Sequence, residues 1–278
     1  MGYIEKKIGF YTDIGNSREQ NEDSVVCFSN SRNISDVELV LGVADGMGGY
    51  KGGKEAGLFI TSELERLFKD KGEYKKLAET LETEPRNLPY LYKCAIESIN
   101  KNLYEKRMNE SERSEMGSTF TGVLGYEMEL YLAHVGDSRA YLIRQGKISA
   151  LTEDHVIGNK IRKVKKIEDP TQLPKYFHLL YRSMGYKPWI KIDYKILKVE
   201  PNDVYFFCTD GLYNYVDEKT IFLTMMNLEY DPQKSTETLV KLAKAKGSTD
   251  NISAACVLYL NVMGLEMTKQ EKTQRIQF

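Results

Sequence analysis

Acidic residues in this sequence collect where apolar runs stop. Asp45 ends the run Glu38–Ala44 and leads into Gly46-Met47-Gly48-Gly49, and Asp210 follows Val204–Thr209 and leads into Gly211. Asp137 follows Glu129–Val135 and Gly136, Asp250 precedes Asn251 and the last apolar run, and Glu22 and Asp23 stand just before Ser24–Ser29. Strand ends on one side of a sheet converge, so these carboxylates can share one location, where they repel unless a cation neutralises them. Oxygen ligands without an accompanying His or Cys cluster select Mg²⁺ or Mn²⁺ over zinc. A glycine after the aspartate lets its backbone carbonyl approach the ion, because no Cβ intervenes. Each Asp taken alone is more simply a helix cap or a turn former. Five such places in one chain argue instead for a single cation-binding cluster.

A rival chemistry lies in the same stretch. Gly48-Gly49-Tyr50-Lys51-Gly52-Gly53-Lys54 fits the G-x-x-x-x-G-K opening of a phosphate-binding loop. The next position should be Ser or Thr to hold Mg²⁺, but it is Glu55, whose charge would repel phosphates. Cysteine offers no alternative nucleophile. Cys27, Cys94, Cys208 and Cys256 are scattered without a CxxC pair, three of them in apolar strand-like runs, and read as buried reduced thiols.

The elements that must position the carboxylates follow from periodicity. Lys7–Asp13, Ser24–Ser29, Glu38–Ala44, Thr119–Tyr126, Glu129–Val135, Arg139–Arg144, Ile190–Val199, Val204–Cys208 and Ile252–Asn261 read as strands. Gln145-Gly146 and Pro201-Asn202-Asp203 read as turns. Ala56, Phe59, Ile60, Leu64, Leu67 and Phe68 form one helical face, and Leu88–Arg107, Asp217–Leu228 and Gln233–Lys246 fit further helices. Strands and helices come in separate runs, which predicts an α+β domain with antiparallel sheets and helices outside. Val156–Tyr186, with the basic run Lys160–Lys166, breaks the regularity as an inserted excursion, and Glu266–Phe278 is a polar tail.

The 278 residues, 41% hydrophobic and 28% charged, suit one globular domain. A formal net charge of −1 supplies no bulk field for nucleic acid. Met1–Asp13 lacks the apolar region of a signal peptide, and Lys6 stands where myristoylation would want Ser or Thr. The longest uncharged run, Asn251–Leu265, is too short to span a bilayer, so a cytoplasmic protein without membrane insertion is expected.

Together these segments resemble the PPM family, the metal-dependent type-2C protein serine/threonine phosphatases, in its bacterial form. The matching blocks are Thr12-Asp13-Ile14-Gly15 with Arg18, Asn21, Glu22 and Asp23; Val43–Gly49; Gly117-Ser118-Thr119; His134–Tyr141; Leu151–His155; Cys208–Leu212; and Ser248–Ile252. They stand in family order across about Thr12 to Asn261. The resemblance implies a central β-sandwich of two antiparallel sheets flanked by helices on both outer faces. It implies a phosphatase domain over 1–262, a variable flap at about 156–186 and a C-terminal tail over 263–278.

By the same resemblance, Asp45 bridges two Mg²⁺ or Mn²⁺ ions, the Gly46 carbonyl binds one, and Asp210 with Asp250 hold the other. Glu22 and Asp23 bind or orient metal-bound water, Asp137 helps bind a third ion, and Arg18 grips the substrate phosphate. Two ions about 3.5–4 Å apart can place one acidified water for in-line attack on a phosphoserine or phosphothreonine ester, with no phospho-enzyme. Met47 takes the position of the histidine that many eukaryotic relatives offer as general acid, which leaves the proton donor unassigned. His134 and His155 are expected to fill structural positions. The implied substrates are phosphoproteins of a serine/threonine kinase, and the implied enzyme is a monomer. A pseudophosphatase that binds phosphoproteins without catalysis is the alternative, and the presence of Asp45, Asp210 and Asp250 argues against it.

Overall fold

Side-chain alternation decides the architecture. In β3 (Leu39–Ala44), Leu39, Leu41 and Val43 face one way while Val40 and Ala44 face the other. In β11 (Val204–Cys208), Tyr205 and Phe207 join that first group, while Val204, Phe206 and Cys208 face away from it. A strand buried on both faces needs a layer on each side, so the two sheets press their inner faces together and take helices on their outer ones.

The computed structural model describes residues 3–30, 37–109, 116–165 and 179–262. One sheet runs β1 (Tyr3–Asp13), β12 (Ile252–Val262), β11, β8 (Arg139–Arg144), β9 (Lys147–Ala150). The other runs β10 (Asp193–Lys198), β7 (Glu129–Val135), β6 (Phe120–Tyr126), β3, β2 (Ser24–Ser29). All pairings are antiparallel. The helices α1 (Gly49–Lys69), α2 (Lys71–Thr80) and α3 (Leu88–Asn109) cover the second sheet through Ile60, Leu64, Tyr74, Leu91 and Ile99. The first sheet is covered by α5 (Asp210–Tyr213), α6 (Glu218–Asn227) and α7 (Pro232–Ala245) through Leu212, Ile221, Met225 and Leu239. A further helix, α4 (Ile157–Lys165), lies in the excursion after β9.

The expected sandwich with helices on both outer faces is present, and several element bounds differ. Strand β10 begins at Asp193, not Ile190, because its pairing with β7 starts at Asp193 opposite His134. Thr119 lies outside β6, since its main chain and side chain both turn to Asp45. The helices α2, α4 and α5 and the strand β9 were not expected from periodicity. The expected turns hold: Gln145 and Gly146 both take positive φ, as a two-residue hairpin turn requires, and so does Asn202. Cys208 and Cys256 are buried, Cys27 and Cys94 partly so, and all four are free thiols. The polar tail and part of the flap, 166–178, lie outside the described residues.

Candidate metal centre

Each acidic residue sits at one end of the sandwich because its strand stops there. Asp45 follows β3, and its main chain is fixed by the Gly117-Ser118-Thr119 block. The Asp45 N–H donates to Thr119 Oγ1 at 2.9 Å, and its carbonyl accepts from Thr119 N–H and Ser118 Oγ, each at 2.9 Å. The two-residue strands β4 (Gly46–Met47) and β5 (Gly117–Ser118) pair alongside, extending the clamp. Gly46 has no room for a side chain: a Cβ there would stand 2.1 Å from the Gly53 carbonyl oxygen and 2.6 Å from that of Glu22.

Asp23 precedes β2 and accepts a hydrogen bond from Thr209 Oγ1 at 2.9 Å. Asp210 opens α5 just after Thr209. The adjoining Gly211 packs on the opposite loop so closely that a Cβ would lie 2.0 Å from the Asn251 carbonyl. Asn251 straps the loops together, donating through Nδ2 to the carbonyls of Ile14 at 2.9 Å and Gln20 at 3.0 Å. Its Oδ1 accepts the Glu22 N–H at 2.9 Å. Arg18 Nη2 donates to Asp250 Oδ2 at 2.7 Å.

The electrostatics show that these groups share one place. Burial, then the charges of Asp23, Asp210, Asp137 and Asp250, hold the Asp45 carboxyl well above the ordinary range. Burial pushes Asp23 up to about 7 against its hydrogen bonds from Ser253 and Thr209, and Asp210 and Asp250 add to the rise. Burial, with Asp210 and Asp154, pushes Asp137 up to about 7. The Arg18 guanidinium is raised by its bond to Asp250 and by Asp250, Glu22 and Asp45 nearby. The expected residues Arg18, Glu22, Asp23, Asp45, Gly46, Asp137, Asp210 and Asp250 therefore fall together.

This donor set suits a hard divalent cation. Its oxygens are carboxylate and carbonyl, its carboxylates destabilise one another, and the close packing at Gly46 admits no side chain. Among the described residues no three acidic, imidazole or thiol side chains are gathered closely enough to hold a metal ion by themselves. Mg²⁺ does not require three, since it keeps several waters and takes one or two carboxylates.

Neither motif histidine joins the carboxylates. His134 bonds Thr121 Oγ1 through Nδ1 at 2.8 Å and the Glu153 carbonyl through Nε2 at 3.0 Å. His155 Nδ1 accepts the Gly136 N–H at 3.0 Å, and its ring stacks 4.6 Å from that of His134. The phosphate-loop reading of Gly48–Lys54 fails: residues 49–54 already belong to α1, and the strand before it lies in an antiparallel sheet. Arg18, expected to grip the substrate phosphate, is ion-paired with Asp250 in this structure. Sequence reasoning placed Thr119 and Asn251 within motif blocks but gave them no positioning role.

Fold and site together define an α+β sandwich phosphatase. The profile of protein phosphatase 2C matches residues 10–160, and the chain belongs to that family. A curated relative of Streptococcus pyogenes, of the protein phosphatase 2C type, is 30% identical over 253 residues, 90% of this chain and 96% of its own length. The S. agalactiae serine/threonine phosphatase superposes with a TM-score of 0.79 at 26% identity, covering 92% of this chain and all of that one (100%). The catalytic domain of the phosphatase PstP, solved with 2 manganese ions, gives 0.75 at 25% identity, over 92% and 99% of the two chains.

Proposed function

We propose how this metal-dependent serine/threonine protein phosphatase is built to work. Asp45, the Gly46 carbonyl, Asp210 and Asp250 would hold two divalent ions, Mg²⁺ or Mn²⁺. Glu22 and Asp23 would orient water beside those ions, and Asp137 would help hold a third. The observation that carries this reading is the gathering of acidic residues at one end of the sandwich, where the charges of Asp23, Asp137, Asp210 and Asp250 all act on the buried Asp45 carboxyl. The solved PstP domain with its 2 manganese ions supports the two-ion part of this reading.

Bound there, paired divalent ions supply a water of lowered pKa and withdraw charge from the phosphoryl oxygens. The chain's own residues do the rest. Arg18, half exposed at the rim, is placed to swing from Asp250 and donate two parallel hydrogen bonds to the phosphate dianion. Thr119 and Ser118 keep Asp45 from moving as charge builds beside it. Cys27, Cys208 and Cys256 take no part: burial raises their thiols, which leaves them protonated.

Phosphoserine and phosphothreonine proteins, the products of a serine/threonine kinase, are the substrates on this reading. The phosphatase domain spans 1–262 with its flap at about 156–186, followed by the tail at 263–278, and it acts as a cytoplasmic monomer. No described helix is long and apolar enough to cross a membrane. The test is phosphate release from a phosphothreonine peptide with Mn²⁺, with EDTA, and with the Asp210→Asn variant. Release that needs both metal and Asp210 supports the assignment. Full release by Asp210→Asn, or in EDTA, overturns it.

A further inference from the structure

The segment that leads from the flap back into β10 puts large rings on the surface and holds them still. Tyr186 is 63% exposed and Trp189, the only tryptophan in the chain, is 67% exposed. Exposed rings of this size are normally mobile or covered, yet the backbone beneath these is fastened. Asn100, buried in α3, donates to the Lys187 carbonyl and accepts the Gly185 N–H, both at 2.9 Å. Arg107 Nη1 donates to the carbonyls of Gly185 at 3.2 Å and Tyr186 at 3.3 Å. Gly185 takes a φ of +80°, and a Cβ there would stand 2.8 Å from Leu103 Cγ, so the turn sits tight against α3.

Each ring carries a cation. The Arg107 guanidinium lies 5.1 Å from the Tyr186 ring centre, and the Lys187 ammonium 5.1 Å from that of Trp189. Residues 181–192 include Arg182, Lys187 and Lys191 and no acidic residue. The next acid, Asp193, is held by Arg182 at 2.6 Å and His155 at 3.2 Å. Glu55 faces Lys106, the neighbour of Arg107, at 3.7 Å. The loop therefore shows a positive, ring-bearing surface whose order is already established, which lowers the entropic cost of binding a partner. Trp, Tyr and Arg are also the residue types that dominate binding energy when a partner covers them.

The surface starts beside the metal centre. Met184 exchanges main-chain hydrogen bonds with Ser118 at 2.8 and 3.2 Å, and Ser118 Oγ holds the Asp45 carbonyl at 2.9 Å. Trp189 is five residues beyond Met184, at most about 18 Å away along the chain. We propose that Tyr186, Lys187 and Trp189 form a docking surface for an acidic segment of the phosphoprotein substrate. That segment lies within about eight residues of the phosphorylated serine or threonine. The proposal rests on the phosphoprotein reading above and adds where the substrate's flank is held. Nucleic acid fits less well, because the cations already lie over the ring faces on which bases would stack.

The sole tryptophan makes a direct test. An acidic peptide without a phosphate is titrated into the full chain in EDTA while Trp189 emission is followed, beside a twin with Gln and Asn in place of Glu and Asp. In parallel, phosphothreonine versions of both peptides and p-nitrophenyl phosphate are turned over with Mn²⁺ by the wild type, Lys187→Glu and Trp189→Ala. The expected result is a saturable emission shift with the acidic peptide alone, weakened in Lys187→Glu. The acidic phosphopeptide should show a KM raised about five- to tenfold in both variants. Its kcat and the p-nitrophenyl phosphate rate should not change. Equal KM values for the two phosphopeptides overturn the proposal. So does an emission shift produced equally by an oligonucleotide, or by concentrating the enzyme without peptide. Failure to hydrolyse p-nitrophenyl phosphate would strike the phosphatase reading instead, and the metal-free titration would still decide the docking surface.

Discussion

Strand β11 has an aspartate near each end, and the protein treats the two in opposite ways. Asp203, 1% exposed, receives Arg144 Nε at 2.8 Å and Nη2 at 2.6 Å, the Glu200 N–H at 2.7 Å and the Tyr205 hydroxyl at 3.2 Å. Its charge is matched in place by a forked cation and two further donors. At the other end Asp210 stands among Asp23, Asp45, Asp137 and Asp250, where burial and then like charges raise the carboxyls of Asp23, Asp45 and Asp137. The residue type is the same and the strand is the same. What separates a structural aspartate from a functional one is whether the fold supplies the countercharge or leaves it to a ligand.

Substitutions at the two ends should therefore diverge. Asp45→Asn is expected to lower turnover by at least about 10²–10³-fold. Its melting temperature without metal should stay level or rise, since one repelling charge has gone. Asp203→Ala should do the reverse: a loss of about 3 kcal/mol in urea unfolding, because Arg144 loses its buried partner, with activity per folded molecule kept. If Asp45→Asn unfolds the protein, or Asp203→Ala inactivates a stable one, the contrast between the ends breaks down.

Between these extremes lies His134, buried and uncharged. Burial, then the neighbouring His155, lowers it to about 3 from an ordinary value of 6.5. The unfolded chain takes up this proton below about pH 6.5 and the folded one refuses it until about pH 3. The stability it contributes is thus full above pH 6.5 and is lost as pH falls through that window. Between pH 6.5 and 5 the loss attributable to this group is about 2 kcal/mol. Urea unfolding of wild type and His134→Gln at both pH values should show a drop that is smaller by that amount in the variant. The smallest effect is expected at Asp70, whose side chain accepts the Gly72 N–H at 2.6 Å at the start of α2. Asp70→Ala should cost about 1 kcal/mol in the same unfolding assay and leave turnover unchanged.

The strands were legible in the sequence because they are buried on one or both faces, and burial writes apolar runs with sharp ends. β7, β8 and β11 match their expected bounds for that reason. β9 carries mostly exposed residues and left no such mark. The helix α2 buries Tyr74 and Ala78 in an otherwise polar segment, so periodicity missed it, although Asp70 with Glu73 three residues on is a capping signal that could have found it. The carboxylates were legible because they punctuate apolar runs. The bond from Arg18 to Asp250 spans 232 residues of chain and the strap from Asn251 to Glu22 spans 229, distances over which spacing carries no information. Those contacts come from the antiparallel neighbours β1 and β12, which the fold had to supply.

On this reading the acidic end of the sandwich leaves its countercharge to a divalent cation. Thermal unfolding of wild type and Asp210→Asn, each with EDTA and with saturating Mn²⁺, tests it most directly. Mn²⁺ is expected to stabilise the wild type by about 3–4 kcal/mol, as a ligand bound only by the folded state must at 100–1,000 times its Kd. Asp210→Asn should lose most of that gain. Superimposed wild-type curves with and without Mn²⁺, or an equal gain in Asp210→Asn, would contradict it.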